Sequence, residues 1–367
     1  MSLHPAHGSE KREILRNKID GLLESLGSGD EYNPDKIIDF GFLPGPLYTP
    51  ELKLGIGLAA IGLYKTDRED QEERVSSFSI TGFGSITKAI GLVAENQTFF
   101  LRDRVRFFID GKIFDAPEKY WGIGYDQNAD DDSEEEYTDV TFQISPRVYH
   151  RVWNALYLGA GWDYIRNQAL DTDAGGLFYQ DNPHGTEVYS SGYSLHIMSD
   201  TRDSVLNAYE GHLLNLNYYD YKESFGSETD YSVTEFTFNK YNAVSDKDVL
   251  AFQFFVRSAD HDVPWSRLSK IGGASQMRGY WEGRYRDKKM ITSQIEYRRK
   301  LFWRHGIVLW LGAGAIAPSF DEFESGQILP NAGIGYRLAF KNRSNVRLDL
   351  GFGKDMVGFY FNVNEAF

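Results

Sequence analysis

Residues 356–367 read MVGFYFNVNEAF, in which Phe359, Phe361 and Val363 are apolar while Asn362 and Asn364 are polar. Successive side chains of a strand point to opposite faces, so this pattern gives one apolar and one polar face. Hydrocarbon cannot hydrogen-bond a backbone amide, so a sheet crosses a bilayer only when it closes on itself. The segment therefore predicts the last strand of a transmembrane barrel.

The same alternation recurs along the chain. In one example, Val140 and Phe142 are apolar, whereas Thr141 and Gln143 are polar. The clearest segments are 105–113, 138–149, 249–257 and 332–340. About sixteen short segments of this kind predict an all-β transmembrane antiparallel barrel of about sixteen strands. An even number of strands brings both termini to one side, which we expect to be periplasmic.

Composition excludes several classes of protein. The chain has 367 residues and no cysteine, and 15% of its residues are aromatic. No window approaches the ~20 apolar residues of a membrane-spanning helix. The net charge of -14 argues against nucleic acid as a partner. The histidines are scattered, without His-x-x-x-His or HExxH spacing, so we expect no metal site and no cofactor. The chain also lacks a Gly-x-Ser-x-Gly motif, so we expect no enzyme activity.

The N-terminal segment has helical periodicity. Leu15, Ile19, Leu22 and Leu26 fall on one face of a helix over residues 10–26, which is too short to span a bilayer. It is either a surface helix across the barrel mouth or a lumenal plug or partner-docking element. The start of the chain lacks the pattern of a secretory signal.

We divide the chain into an N-terminal segment, 1–43, and a transmembrane barrel, 44–367. Pro44, Pro46 and Pro50 stop helix formation and are expected to lead an extended chain into the first strand. Connections also differ in length, and we expect short turns at one end of the barrel and long loops at the other. The short set includes 87–89 and the long set includes 66–75.

A soluble β-sandwich or propeller is the alternative to a membrane barrel. Both folds also contain short alternating strands. A propeller would show an internal repeat of about 40 residues, and the chain has none. A sandwich would carry similar turn signals on both edges, so the difference in connection length favours the barrel.

The longest loop, residues 263–287, carries a glycine-rich motif. Its residues are Gly272, Gly273, Arg278, Gly279 and Tyr280. A strand containing Glu296 and Arg298 follows. These features resemble the bacterial surface antigen superfamily of outer-membrane barrels, the BamA and TamA superfamily. Its signature is an Arg-Gly-aromatic tip after paired glycines in the loop between strands eleven and twelve, followed by a Glu-x-Arg strand.

The motif also has a physical interpretation. Its glycines allow the loop to turn tightly and fold back into the lumen. A guanidinium away from water stays charged and needs an acceptor, for which Glu296 is the first candidate and Asp349 the second. In the resembled family the thirteenth strand supplies an aspartate, but this chain has Gly312 at that place. Alternatively, Arg278 lies in an exposed loop.

The junction between the first and last strands is the second candidate site. We call this junction the seam. Gly55 and Gly57, which we assign to the first strand, and Gly358 near the last turn would weaken it, although strand glycines also mark simple bends. Phe359, Phe361 and Phe367 are its expected aromatic residues. Glu365 interrupts the apolar phase and is expected at the membrane interface, where a charge costs little.

The resemblance implies a function at the outer membrane of a Gram-negative bacterium. It implies insertion or translocation of protein or lipid through a weak seam. Many members carry periplasmic POTRA domains of about 75 residues, and only about 40 residues precede this barrel, so we expect a short member without them. The expected partners are outer-membrane lipids, lipopolysaccharide and a periplasmic or substrate protein. The acidic run 130–136 is interpreted as a solvated loop rather than a divalent-cation site. The competing function is a passive pore or structural barrel.

Overall fold

The structure is a computed structural model that describes residues 16, 21, 33–183, 185–341 and 343–367. Within these residues, sixteen strands form a closed antiparallel barrel in which each strand pairs with the next and β1 pairs with β16. In chain order β1 to β16 are Asp39–Thr49, Lys53–Tyr64, Ser76–Ser85, Ile90–Phe100, Val105–Tyr120, Glu135–Trp153, Leu156–Leu170, Glu187–Asp200, Gly211–Tyr221, Tyr231–Ser245, Asp248–His261, Lys289–Phe302, His305–Ala317, Leu329–Lys341, Ser344–Gly353 and Met356–Val363. The predicted fold class is confirmed.

The alternation of the sequence sets the two faces of the barrel wall. Phe142 and Leu311 point outward and are 41% and 64% exposed, whereas the neighbouring Thr141 is 5% exposed and faces the lumen. Arg337 is likewise buried at a lumenal position. An outer apolar band with a polar interior is the arrangement that a bilayer requires of a spanning sheet.

The first strand begins earlier than the sequence suggested. β1 starts at Asp39, ahead of the expected boundary at residue 44, and includes both Pro44 and Pro46. It stays in register with β2 along its whole length. Proline is tolerated here because β1 borders the seam, and a strand at such an edge can lack some donors. Since β1 precedes Lys53, the two glycines that we placed in the first strand lie in β2.

The ends of the barrel also differ from the expected division. We call the end where β1 begins and β16 finishes the turn end, and the opposite end the loop end. The segment 66–75 lies at the turn end, where Arg68 donates to the carbonyl of Pro34 at 2.9 Å. Thr87 lies at the loop end and donates to the carbonyl of Leu52 at 3.1 Å. We expected 66–75 among the long loops and 87–89 among the short turns, and the structure shows the opposite ends. The expectation was wrong because the barrel begins earlier than predicted and each successive strand reverses direction.

Two short helices lie in loop-end connections, α1 (Tyr125–Ala129) and α2 (Leu177–Asp181). The predicted helix over 10–26 lies outside the described residues, except that Arg16 and Gly21 are helical and exposed. In the described part of the chain, no helix combines the length and apolar character needed to span a membrane.

Loops fill the lumen near the loop end. Phe178 and Trp265 from two of these loops pack with Tyr120 and Tyr137 of the wall in a buried aromatic cluster. The guanidinium of Arg286, from the long loop, lies 4.8 Å from the centre of the Tyr120 ring. These contacts place apolar and charged side chains of the long loop in the lumen.

Residues after β16 turn into the lumen at the turn end. Asn364 has a φ of 66°, which redirects the chain as the strand finishes. Glu365 is buried and pairs with Arg337 at 2.8 Å, so its expected place at the interface was wrong. The ring of Phe367 packs 6.3 Å from that of Tyr241, inside the barrel rather than at the seam. The pairing with Arg337 explains why a glutamate interrupts the apolar phase here.

Candidate functional site

The long loop between β11 and β12 folds back into the lumen on left-handed backbone at its glycines. Gly272, Gly273 and Gly279 have φ values of 114°, 92° and 115°. Residues with a Cβ rarely adopt such angles, so glycine is required for this path. A two-stranded ribbon, Ser269–Lys270 with Arg286–Asp287, closes the base of the loop.

The tip of the loop lies directly on the backbone of β15. A Cβ added to Gly279 would lie 2.7 Å from the nitrogen of Gly353, and one added to Gly351 would lie 2.6 Å from the carbonyl oxygen of Arg278. Real Cβ atoms do not approach backbone so closely. Loop and strand therefore pack as two bare backbones.

Arg278 is completely buried at this tip. Its Nη1 donates to Oδ2 of Asp349 at 2.6 Å, and its Nη2 donates to Glu296. The guanidinium also lies 3.8 Å from the centre of the Trp310 ring. The structure thus brings both candidate carboxylates, one from β12 and one from β15, to the same side chain.

Each of the two carboxylates also accepts a hydrogen bond from a second arginine. Glu296 accepts from Arg298 at 2.9 Å, and Asp349 accepts from Arg337 at 2.5 Å. All five side chains of this network are at most 6% exposed. Glu365 and Arg347 extend the network through Arg337 and Asp349. Because these charges are buried, removal of one leaves a partner with fewer compensating contacts in a poorly hydrated environment.

Gly312 of β13 leaves no room for the aspartate that the resembled family has there. The side chain of Asn331 occupies the space in which a Cβ of Gly312 would lie. Asn331 also donates to the carbonyl of Arg278 at 3.1 Å. β13 contributes Trp310 instead of an acid, and neither Trp310 nor Asn331 was predicted from the sequence. The sequence signal that could have identified them is their place among the lumen-facing positions of β13 and β14.

Tyrosine hydroxyls attach the tip to the last strands. Tyr360 of β16 accepts from the amide of Gly279 at 2.9 Å. The hydroxyl of Tyr280 donates to the carbonyl of Pro330 at 2.7 Å and accepts from the amide of Lys354. Burial raises the pKa of Tyr280 to about 12, so its hydroxyl stays protonated well into the alkaline range. Tyr360 was not among the predicted partners of the loop.

The loop also reaches the other side of the seam. Glu51, in the turn between β1 and β2, accepts from the amide of Glu282 at 2.9 Å. Burial, together with the nearby carboxylate of Glu282, raises the pKa of Glu51. One loop therefore contacts both β16 and the turn that follows β1.

The seam itself is short. β1 and β16 are in register at the pair Tyr48 and Phe361, whereas β15 and β16 are in register from Val346 and Val363 to Gly353 and Met356. The rings of Tyr48 and Phe359 lie 5.4 Å apart. Among the predicted seam residues, three lie on β16, Gly55 and Gly57 lie one strand away in β2, and Phe367 lies in the lumen.

Comparison with protein families agrees with this architecture. The Omp85 superfamily domain matches residues 89–367, most of the barrel. The chain belongs to the Omp85 superfamily. The resemblance drawn from the loop motif and the Glu-x-Arg strand is therefore confirmed, and outer-membrane location follows at the level of the superfamily. No curated protein sequence matches the chain.

Solved structures of Omp85 barrels are similar in fold. BamA from Haemophilus ducreyi lacking POTRA domains 1-3 matches 89% of this chain and 70% of its own length, with 13% identity and a TM-score of 0.57. CdiB from Acinetobacter baumannii matches 90% and 60%, with 11% identity and a TM-score of 0.58. CdiB from Escherichia coli matches 91% and 63%, with 12% identity and a TM-score of 0.61. The chain thus spans less than two thirds of either CdiB chain.

Proposed function

We propose that this Omp85 barrel inserts or translocates protein or lipid at the outer membrane through its seam. The observation that supports this function most directly is the single register pair between β1 and β16. Backbone groups beyond this pair are available to a further strand, because unpaired edge N–H and C=O groups template strand addition. Opening the seam would break few hydrogen bonds compared with opening any other strand pair.

The lumenal loop supports the same proposal. Its tip is bonded to Tyr360 on one side of the seam, and Glu282 is bonded to Glu51 on the other. The buried arginine network holds the loop against the wall. In this proposal the loop holds the two edges together while the seam is closed.

The orientation follows from the connections. We place the turn end in the periplasm and the longer loops outside, as in other outer-membrane barrels of Gram-negative bacteria. Outer-membrane lipids and lipopolysaccharide would surround the wall, and a periplasmic or substrate protein would approach the turn end. The proposed activity makes and breaks no covalent bond, so we propose that the protein is not an enzyme.

A disulfide across the seam tests the function. Cross-strand partners lie close enough for a disulfide, and the chain has no native cysteine. Oxidised Tyr48→Cys/Phe361→Cys protein in liposomes should no longer accelerate folding of an eight-stranded barrel substrate or transfer of a fluorescent phospholipid, and reductant should restore the activity. The matched control is Leu43→Cys/Ala59→Cys, a register pair of β1 and β2.

If the oxidised seam variant keeps both activities, substrate does not pass through the seam. If both variants lose activity equally, the effect comes from the cross-link rather than its position. A passive pore is the competing function, and it requires a continuous water path. Arg278, Tyr280 and Arg286 of the loop occupy the lumen, which favours the seam.

A further inference from the structure

The turn between β8 and β9, residues 201–210, crosses the mouth of the barrel at the turn end. We call this turn the strap. Arg343, from the turn between β14 and β15, pairs with Asp203 at 2.8 Å and donates to the carbonyl of Asn207 at 3.0 Å. Its guanidinium lies 3.6 Å from the centre of the Tyr209 ring. Strands β10–β13 separate the two turns along the wall, so these contacts span the mouth.

Beside the strap lies a cavity of about 380 Å³ that is strongly basic. Seven lysines and arginines line it, against two acids, Asp246 and Glu365. Four of the arginines pair with carboxylates, and the excess positive charge without an ion pair in the described part of the chain is that of Lys247 and Lys300. The four pairs are Arg298 with Glu296, Arg299 with Asp248, Arg337 with Glu365 and Arg343 with Asp203. This excess of positive charge occurs in a chain whose net charge is -14, so it is local rather than a property of the whole surface.

Two of these arginines have a guanidinium donor without an acceptor in the described part of the chain. Nη1 of Arg298 and Nη2 of Arg337 are buried and have no hydrogen-bond partner in the described part of the chain. The two arginines are 6% and 4% exposed. Lys247 and Lys300 also line the cavity and make no ion pair with the described residues. Both arginines line the cavity, so an oxyanion there would meet guanidinium donors that no described residue uses.

The level of the cavity relative to the membrane surface indicates the kind of anion that it binds. Trp303 lines it, and the adjacent Phe302 is 59% exposed on the outside of the barrel. At another turn on this rim, Trp153 is 72% exposed. Exposed aromatic residues at the rim of a membrane barrel mark the level of the lipid headgroups. The basic cavity is therefore at the level where lipid phosphates lie.

We propose that this cavity binds the phosphate of an anionic phospholipid headgroup. Its volume is at the lower end of small-molecule sites, about 300–1,000 Å³, and suits a headgroup better than a folded peptide segment. Arginine donors match phosphate oxygens in pairs, and basic pockets at a membrane surface bind lipid headgroups. Assignment to the periplasmic leaflet rests on the proposed orientation, whereas phosphate binding does not.

Titration of the full-length chain in neutral detergent tests the proposal. The probe is short-chain phosphatidylglycerol below its micelle concentration, compared with short-chain phosphatidylcholine and with free glycerol phosphate. We expect phosphatidylglycerol to bind and Lys247→Gln/Lys300→Gln to weaken it about tenfold. The control, Lys65→Gln/Arg68→Gln, removes the same charge from a turn at the same end, outside the cavity, and should leave affinity within about twofold.

Heat-modified migration on semi-native gels verifies that each variant is folded. Unchanged phosphatidylglycerol affinity in the folded cavity variant would overturn the site, as would equal binding of phosphatidylcholine. Equal affinity for glycerol phosphate would keep the phosphate site but reject lipid as its source. Displacement of the lipid by an acidic hexapeptide at lower concentration than by glycerol phosphate would assign the cavity to protein instead. None of these outcomes depends on whether the seam opens.

Discussion

At the scale of single residues, Arg278 joins the loop to the barrel. It is a planar cation with two acids along its edge and Trp310 on its face. Lysine has one point charge and cannot make these contacts together, which explains the need for arginine. The residue acts as a structural cross-link between β12, β15 and the loop that lies across them.

Arg278→Ala should therefore destabilise the barrel. Removing one member of a buried charge network costs about 3 to 5 kcal/mol, because Glu296 and Asp349 lose a shared partner. We expect a lower unfolding temperature on semi-native gels and faster hydrogen exchange in residues 263–287. The control, Arg166→Ala, breaks an exposed pair with Glu187 and should have little effect. An unchanged unfolding temperature and exchange rate would contradict the anchoring role.

Glu51 gives the loop a pH dependence. Its pKa is raised in the folded state, so its stabilising contribution is complete below the usual carboxyl range and is lost as pH rises through the raised pKa. Glu51→Gln keeps an acceptor for the amide of Glu282 but does not titrate. We expect wild type to gain heat resistance relative to this variant as the pH falls from neutral towards the usual carboxyl pKa of 4.5. Glu136→Gln, at an exposed site, should follow wild type; parallel profiles for all three proteins would refute the idea.

At the scale of the element, β1 has few backbone donors with which to pair with β16. Pro44 and Pro46 have no N–H, so the strand has two fewer donors to offer a neighbour. Its register with β2 is nevertheless complete. The weakness of this strand is therefore confined to the side that meets β16.

Pro44→Val/Pro46→Val should lengthen the seam. The pairing of Tyr48 with Phe361 places Val363 opposite Pro46. Valine restores the two donors and favours a strand, so amides of β16 near Phe361 and Val363 should exchange more slowly with solvent. The control, Pro117→Val, changes a proline in β5, far from the seam, and should not alter these amides. Equal exchange in wild type and the seam variant would show that the prolines do not limit pairing.

At the scale of the whole molecule, a barrel of sixteen strands has room for an aqueous channel when its lumen is empty. Here polypeptide occupies or covers much of that space. It comes from the long loop, the buried aromatic cluster, the strap and the residues after β16. The molecule is thus a closed wall around polypeptide, with its weakest junction at the seam.

Planar bilayer recordings should show small, flickering conductance rather than a steady open pore. Replacing residues 273–281 with a short Gly-Ser linker should raise conductance, since it removes Arg278 and Tyr280 from the lumen. Deleting residues 321–327, in the connection between β13 and β14, is the control and should leave conductance unchanged. A steady, large conductance in wild type would support the passive pore instead.

The barrel could be predicted from the amino-acid sequence because alternation, turn residues and the glycine-arginine motif are local properties of the chain. The same patterns indicated which face of each strand is lipid-exposed, and they pointed to the loop that enters the lumen. Only the tertiary structure decided that Glu296 and Asp349 share Arg278, that Trp310 replaces the expected acid, and that Phe367 turns inward. Those contacts join residues from different strands, and they depend on strand register and loop path, which no local pattern specifies.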